Sequence, residues 1–142
     1  MGVSRVFWDT NLFIYLFEDY KHFSRSVAEL RDRMLVRGDQ LLTSTMTLGE
    51  LLVKPAEKGD ADLSRKYEDT LLRTCTLLPF DLKAARAYGS IRNERVFRAP
   101  DAIQLACAAS VGVDLFVTND NRLQGRNVPG IQFIVSIDRV PI

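Results

Sequence analysis

Four carboxylates sit where apolar stretches of the chain break off. Asp9 interrupts "VFW" before "LFIYLF" resumes, Glu50 follows "LLTSTMTLG", Asp101 follows "RAP", and Asp120 follows "LFVTN". Brought to one place, such groups repel: two carboxylates about 5 Å apart cost roughly 3 kcal/mol at an effective dielectric of about 20. A hard divalent cation, Mg2+ or Mn2+, removes that cost, because it takes oxygen ligands in octahedral geometry, accepts few direct carboxylates and keeps several waters. An ion so held orients water, lowers its pKa and offsets charge on a leaving oxygen. That is the chemistry of metal-assisted attack on a phosphodiester.

Each acid also fits a purely structural role. Thr47 and Glu50 have the spacing of a capping box, with Glu50 reaching back to the Thr47 N–H. Asp101, just after Pro100, suits the positive end of a helix dipole, an effect of roughly 0.3–1 kcal/mol. Asp9 and Asp120 fit Asx turns that join strand to helix. Taken singly these roles suffice, but they give no reason for four acids to share a rim, and whether they share one depends on the elements that carry them.

Those elements alternate. "VSRVFW" reads as a β-branched and aromatic strand. Val27, Leu30, Met34 and Leu35 follow helical spacing over residues 23–36, and Gly38 supplies the stop. "DQLLTST" is a second strand. "LGELLVKPAEKG" is a helix that Pro55 cuts or ends, since proline lacks the N–H and clashes within a helix. Residues 61–74 form an amphipathic helix, "TCTLLPF" a third strand and "LKAARAYGSIRNE" a helix. Pro100 sits where a first-turn proline belongs, opening a small-residue helix, "DAIQLACAAS", that runs to Gly112. "DLFVTND" and "IQFIVSI" are the fourth and fifth strands. Strands alternating with helices, and lacking Asn-Gly hairpin turns, predict a parallel sheet with helices on both faces. In such a sheet the site lies outside the carboxyl ends of the strands. Asp9 and Asp120 end strands, and Glu50 and Asp101 open helices that start on the same edge, so all four are expected on one rim. Asp114 precedes its strand and belongs at the opposite edge.

Bulk properties exclude several classes. The 142 residues suit a single domain over 1–142, and 46% hydrophobic with 26% charged residues is ordinary for a soluble globular protein. A net charge of +1 hides 19 basic and 18 acidic residues, so local distribution must speak for partners. Cys75 and Cys107 lack metal-ligand spacing and read as buried thiols of a reducing cytosol. No stretch approaches the roughly 18–20 apolar residues of a membrane span, and Arg5 stands where a signal peptide needs its apolar core, which predicts a cytoplasmic protein with no membrane partner. His22 is the only histidine and lies in a polar turn, so a Ser-His-Asp or Cys-His mechanism is not expected.

The chain resembles PIN domains, and among them the compact VapC-like toxins of toxin–antitoxin pairs. The matching pieces are "DTN" at 9–11, Ser44-x-x-Thr47-x-x-Glu50, "APDAIQLACA" at 99–108 and "LFVTND" at 115–120. Together they span nearly the whole chain in the family's order and approximate spacing. The resemblance implies a three-layer α/β/α fold with a parallel sheet of four to five strands, and a metal-dependent endoribonuclease. It implies that Asp9, Asp101 and Asp120 hold the metal, directly or through water, and that Glu50 acts through a bound water or a second ion. It further implies that Asn11 and Thr118 steady the acids by hydrogen bonds, simple turn capping being the alternative. Relatives are usually homodimers silenced by an antitoxin whose C-terminal segment fills the site, often with an arginine. "LFIYLF" is either a docking surface for such a partner or core.

An RNA substrate needs phosphate contacts. Arg92, Arg95 and Arg98 stand just before Asp101, and Arg122 and Arg126 just after Asp120. Guanidinium groups suit phosphate as planar forks that stay charged, although a solvated helix face explains such a run equally. Other enzymes with acids on a parallel sheet fit less well. A haloacid-type phosphatase needs an Asp where Asn11 stands, and a receiver domain needs a lysine that does not follow residues 115–118. The alternatives left are a non-catalytic PIN-like scaffold that binds RNA or protein, and a structure-specific DNA nuclease, which the small size disfavours.

Overall fold

In the computed structural model, which describes residues 3–142, the sheet is built outward from β1 (Arg5–Trp8). The first two residues of the expected domain lie outside the described residues. β1 pairs in parallel with β2 (Gln40–Ser44) and with β4 (Val113–Val117); β2 pairs with β3 (Thr76–Leu78) and β4 with β5 (Ile131–Val135). The order is therefore β3-β2-β1-β4-β5, five strands and all parallel, as the alternation of elements predicts.

Alternation along each strand splits the core in two. Phe7, Leu42, Phe116 and Ile134 face α5 (Leu82–Ile91) and α6 (Ala99–Val111), with Phe7 and Phe116 stacked at 5.0 Å. Val6, Trp8, Leu41, Leu115 and Val117 face the other way. There they meet α1 (Thr10–Phe17), α2 (His22–Arg37), α3 (Thr45–Glu57) and α4 (Ala61–Thr74). Strands buried on both faces read as continuous apolar runs, which is why "VFW" and "LFV" carry no polar alternation. In "LFIYLF", Leu12 and Phe13 are fully buried and the next four residues half-buried, so α1 is largely core.

Element ends follow local chemistry. Gly38, at φ 79°, closes α2 in the left-handed region, its N–H turned back to Leu35 and Met34. Pro55 lies inside α3, and the helix ends two residues later at Glu57. The strands are shorter than the apolar patterns suggest, because Asp9 and the 118–120 segment leave the sheet. Cys75 is half-buried and Cys107 buried, both free, and burial raises each thiol to about 11. Among the described residues no helix is long and apolar enough to cross a membrane.

Gly130, just before β5, allows a close approach that no other residue permits. Its φ is 96°, and a Cβ there would lie 2.6 Å from the Ala109 carbonyl oxygen of α6. Gly130→Ala is expected to destabilise the fold by more than ~1 kcal/mol, because strain adds to a backbone clash. Urea denaturation would show it as a lower midpoint.

Candidate active site

The register of the sheet lines up the residues that leave it. Trp8 lies opposite Val117 and Phe7 opposite Leu42, so Asp9 follows β1 beside Thr118 on one flank and Ser44 on the other. Asp9 is also the N-cap of α1: Oδ1 accepts the Thr10 N–H at 2.9 Å, while Oδ2 accepts the Thr118 hydroxyl at 2.8 Å. The Thr118 hydroxyl oxygen accepts the Asp120 N–H at 3.1 Å, so one side chain ties two acids together. Asn11 Oδ1 accepts the Asn119 N–H at 3.4 Å, and the Asn119 amide donates to the Tyr15 hydroxyl at 2.9 Å, which pins the 118–120 segment onto α1.

Glu50 reaches this rim because α3 starts earlier than its capping-box spacing requires. The N-cap is Ser44, whose hydroxyl accepts the Thr47 N–H at 3.4 Å, and no loop separates β2 from the helix. The Thr47–Glu50 capping box is therefore not formed. Glu50 lies a turn and a half into α3 and turns toward α1, where its Oε1 accepts the Thr10 hydroxyl at 2.6 Å. Asp101, in the first turn of α6, does keep its structural role, since Oδ2 accepts the Arg98 N–H at 3.3 Å. Asp114 accepts the Arg5 N–H at 2.7 Å, at the opposite end of β4.

The charges are unevenly balanced. Arg122 turns inward, its guanidinium bonded to both oxygens of Asp120 and, at 3.3 Å, to Asp101 Oδ2. Burial by itself raises the Asp120 carboxyl, but the hydrogen bonds and charge of Arg122, with the charge of Arg98, outweigh it and hold the group below the usual range. Asp9 goes the other way. Burial pushes it from 3.8 up to about 6 against the hydrogen bonds from Thr118 and Thr10, and the charges of Glu50 and Asp101 add to the rise. Among the described residues, the ion pairs at this rim are both Arg122's, and neither reaches Asp9.

The remaining arginines are exposed. Arg92 donates to the Phe97 carbonyl at 2.6 Å and, with Asn93 and Arg95, lines a cavity of about 450 Å³. Arg126 donates to the Arg122 carbonyl at 3.2 Å. Of the five, Arg122 is the one whose guanidinium is hydrogen-bonded to the acids themselves.

Behind the acids lies a buried polar network centred on Gln104, which the sequence patterns do not single out. Its amide nitrogen donates to Thr10 Oγ1 at 3.0 Å and to Thr47 Oγ1 at 2.8 Å, and its carbonyl accepts the Ser44 hydroxyl. Thr43 and Thr47 hydroxyls lie 2.7 Å apart, and Thr43 donates to the Trp8 carbonyl at 2.9 Å. With both amide hydrogens donated, the Thr10 hydroxyl hydrogen is left for Glu50. Gln104 thus joins α1, α3 and the helix that carries Asp101. The signal is a fully polar side chain in the middle of "AIQLACAA", three residues after Asp101. Gln104→Leu is expected to cost roughly 1–3 kcal/mol through stranded hydroxyls, and to lower turnover more than substrate affinity, which kcat and KM measured separately would show.

These residues suit a hard cation. Each Asp9 oxygen has one hydrogen-bond donor and a lone pair to spare, in a half-buried setting where neighbouring charge is negative. Among the described residues no three His, Cys, Asp or Glu side chains form a ready-made metal cage. Mg2+ does not require one, since it is commonly held by one or two carboxylates and completes its shell with water and phosphate oxygens.

The fold and rim define a class: a parallel α/β domain with acids gathered at the carboxyl ends of its central strands. The PIN domain profile matches residues 6–127, and the chain belongs to the PIN domain family. Its fold is similar to that of DNA-bound VapBC from Salmonella typhimurium, with TM-score 0.73 and 21% identity over 95% of this chain and 99% of that one. FitAcB from Neisseria gonorrhoeae gives TM-score 0.73 and 20% identity over 95% and 99%. VapBC-5 from Mycobacterium tuberculosis, a member of the VapBC family of toxin–antitoxin systems, gives 0.59 and 22% over 94% and 98%. Among curated proteins none matches significantly.

Proposed function

We propose that the chain, as one domain over residues 1–142, is a Mg2+- or Mn2+-dependent endoribonuclease and the toxin of a toxin–antitoxin pair. The observation that carries this is Asp9: a half-buried carboxylate among negative neighbours, with no cation among the described residues paired with it. Asp9, Asp101 and Asp120 would hold the ion, directly or through water, with Glu50 acting through a water or a second ion. When bound, the ion would lower the pKa of the attacking water and offset charge on the leaving oxygen. Thr118 and Thr10 hold the carboxylates to their places. Arg122 fixes Asp101 relative to Asp120 and supplies positive charge where a phosphate would arrive. The VapBC and FitAcB likeness supports an antitoxin as partner, and a cytoplasmic homodimer is the form we expect.

The test is cleavage of total RNA with Mg2+ or Mn2+ against EDTA, in wild type, Asp9→Asn and Asp101→Asn, with folding checked by circular dichroism. Metal-dependent cleavage lost in both variants is the expected result. Cleavage that survives EDTA, or variants that keep full activity, would place the chemistry elsewhere. A folded, inhibitor-free wild type that leaves RNA intact would favour a binding scaffold.

A further inference from the structure

The acids account for bond cleavage but not for how a substrate strand is held beside them. The 120–130 loop folds back along the free edge of β5, where the Gly125 N–H donates to the Ile134 carbonyl at 3.1 Å. Between loop and strand lies a groove of about 300 Å³, lined on one side by Gln124, Arg126 and Asn127 and on the other by Gln132, Phe133 and Arg139. Two of its lining residues are hydrogen-bonded to the segment that carries Asp120. Gln124 donates to the Thr118 carbonyl at 3.3 Å, and Arg126 to the carbonyl of Arg122, whose side chain grips Asp120.

Its chemistry is distinctive. Both charged lining residues are arginines, and no acid lines the groove. Phe133 is 63% exposed although it sits within a strand, β5 being an edge strand of the sheet. An exposed ring lining the same groove as two arginines and several amides matches a polyanion with flat, unpaired bases. Bases of a single strand stack on aromatic faces, arginines hold the phosphates, and amides read base edges. A duplex keeps its bases stacked inside and offers none to Phe133.

We propose that this groove holds the single-stranded RNA flanking the scissile bond, with one base stacked on Phe133 and backbone phosphates at Arg126 and Arg139. The proposal rests on the ribonuclease reading above, and assigns Phe133 and Arg139 as substrate-binding residues remote from the chemistry.

The test is fluorescence anisotropy of a labelled, mixed-sequence single-stranded oligoribonucleotide in EDTA, titrated at several salt concentrations. Phe133→Ala is expected to weaken binding about tenfold with an unchanged salt dependence, since stacking carries no charge. Arg139→Gln is expected to reduce the slope of log affinity against log salt by about 0.7, the share of one phosphate contact on a single strand. Phe133→Trp should restore binding, which separates loss of stacking from loss of fold. If the wild type cleaves RNA while both variants bind the oligonucleotide as it does, the groove has another occupant and the proposal fails alone. If the wild type neither binds nor cleaves, both readings fail together.

Discussion

Asp9→Asn is expected to cleave RNA at least ~10²-fold more slowly than wild type, the scale on which losing one charge-stabilising group lowers a rate. In the absence of a divalent ion, the same variant is expected to be the more stable protein at pH 8. The reason is the position of the carboxyl, which burial raises from 3.8 to about 6. Below pH 3.8 the group is protonated in both folded and unfolded chains and contributes no difference. As pH rises from 3.8 toward 6, the unfolded chain releases its proton while the folded one retains it, so folding loses stability. Above 6 the penalty is complete, and the rise in pKa corresponds to roughly 3 kcal/mol. Asparagine has no charge to bury, and its carbonyl still accepts the Thr10 N–H. Urea titrations at pH 4 and pH 8 check this: a gain at pH 8 that shrinks at pH 4 is expected. Equal stability at pH 8, or a gain of the same size at pH 4, would mean that Asp9 bears no such burden.

Divalent metal should reverse the burden in the wild type. An ion present at about 100 times its dissociation constant stabilises the folded chain by ~2.7 kcal/mol, and it should do so more strongly at pH 8 than at pH 5, where a proton competes for Asp9. Thermal denaturation with Mn2+ and after addition of EDTA would show a higher midpoint that chelation abolishes. The gap should narrow as pH falls. A midpoint indifferent to Mn2+ at pH 8 would argue that Asp9 is simply a buried acid in a turn.

On this proposal activity and stability pull apart at Asp9, a residue about which the sequence is informative. β1 is buried and apolar from Val6 through Trp8, so the polar residue that follows marks both the end of this strand and the start of the site. The polar run Thr118 to Asp120 after Val117 likewise makes Asp120 legible, and the alternation of strands and helices makes the five-stranded parallel sheet so. Glu50 is harder to place. Its spacing from Thr47 imitates a capping box, and only the direct passage from β2 into α3, with Ser44 as N-cap, shows that it is free to turn toward Thr10. Arg122 resembles the other arginines in sequence, because nothing in a run of residues tells whether a long side chain extends to solvent or folds back onto an acid two positions away. Gln104 is inconspicuous for a different reason. Its neighbours are small and apolar, so the helix reads as packing, and its three partners come from positions 10, 44 and 47, which no local pattern connects.

The most direct measurement is calorimetric titration of Mn2+ into the wild type, Asp9→Asn and Asp101→Asn at pH 8. Saturable binding in the wild type, weakened at least ~10-fold in each variant, is the predicted result. Equal binding by all three proteins would show that the carboxylates at this rim do not gather around an ion.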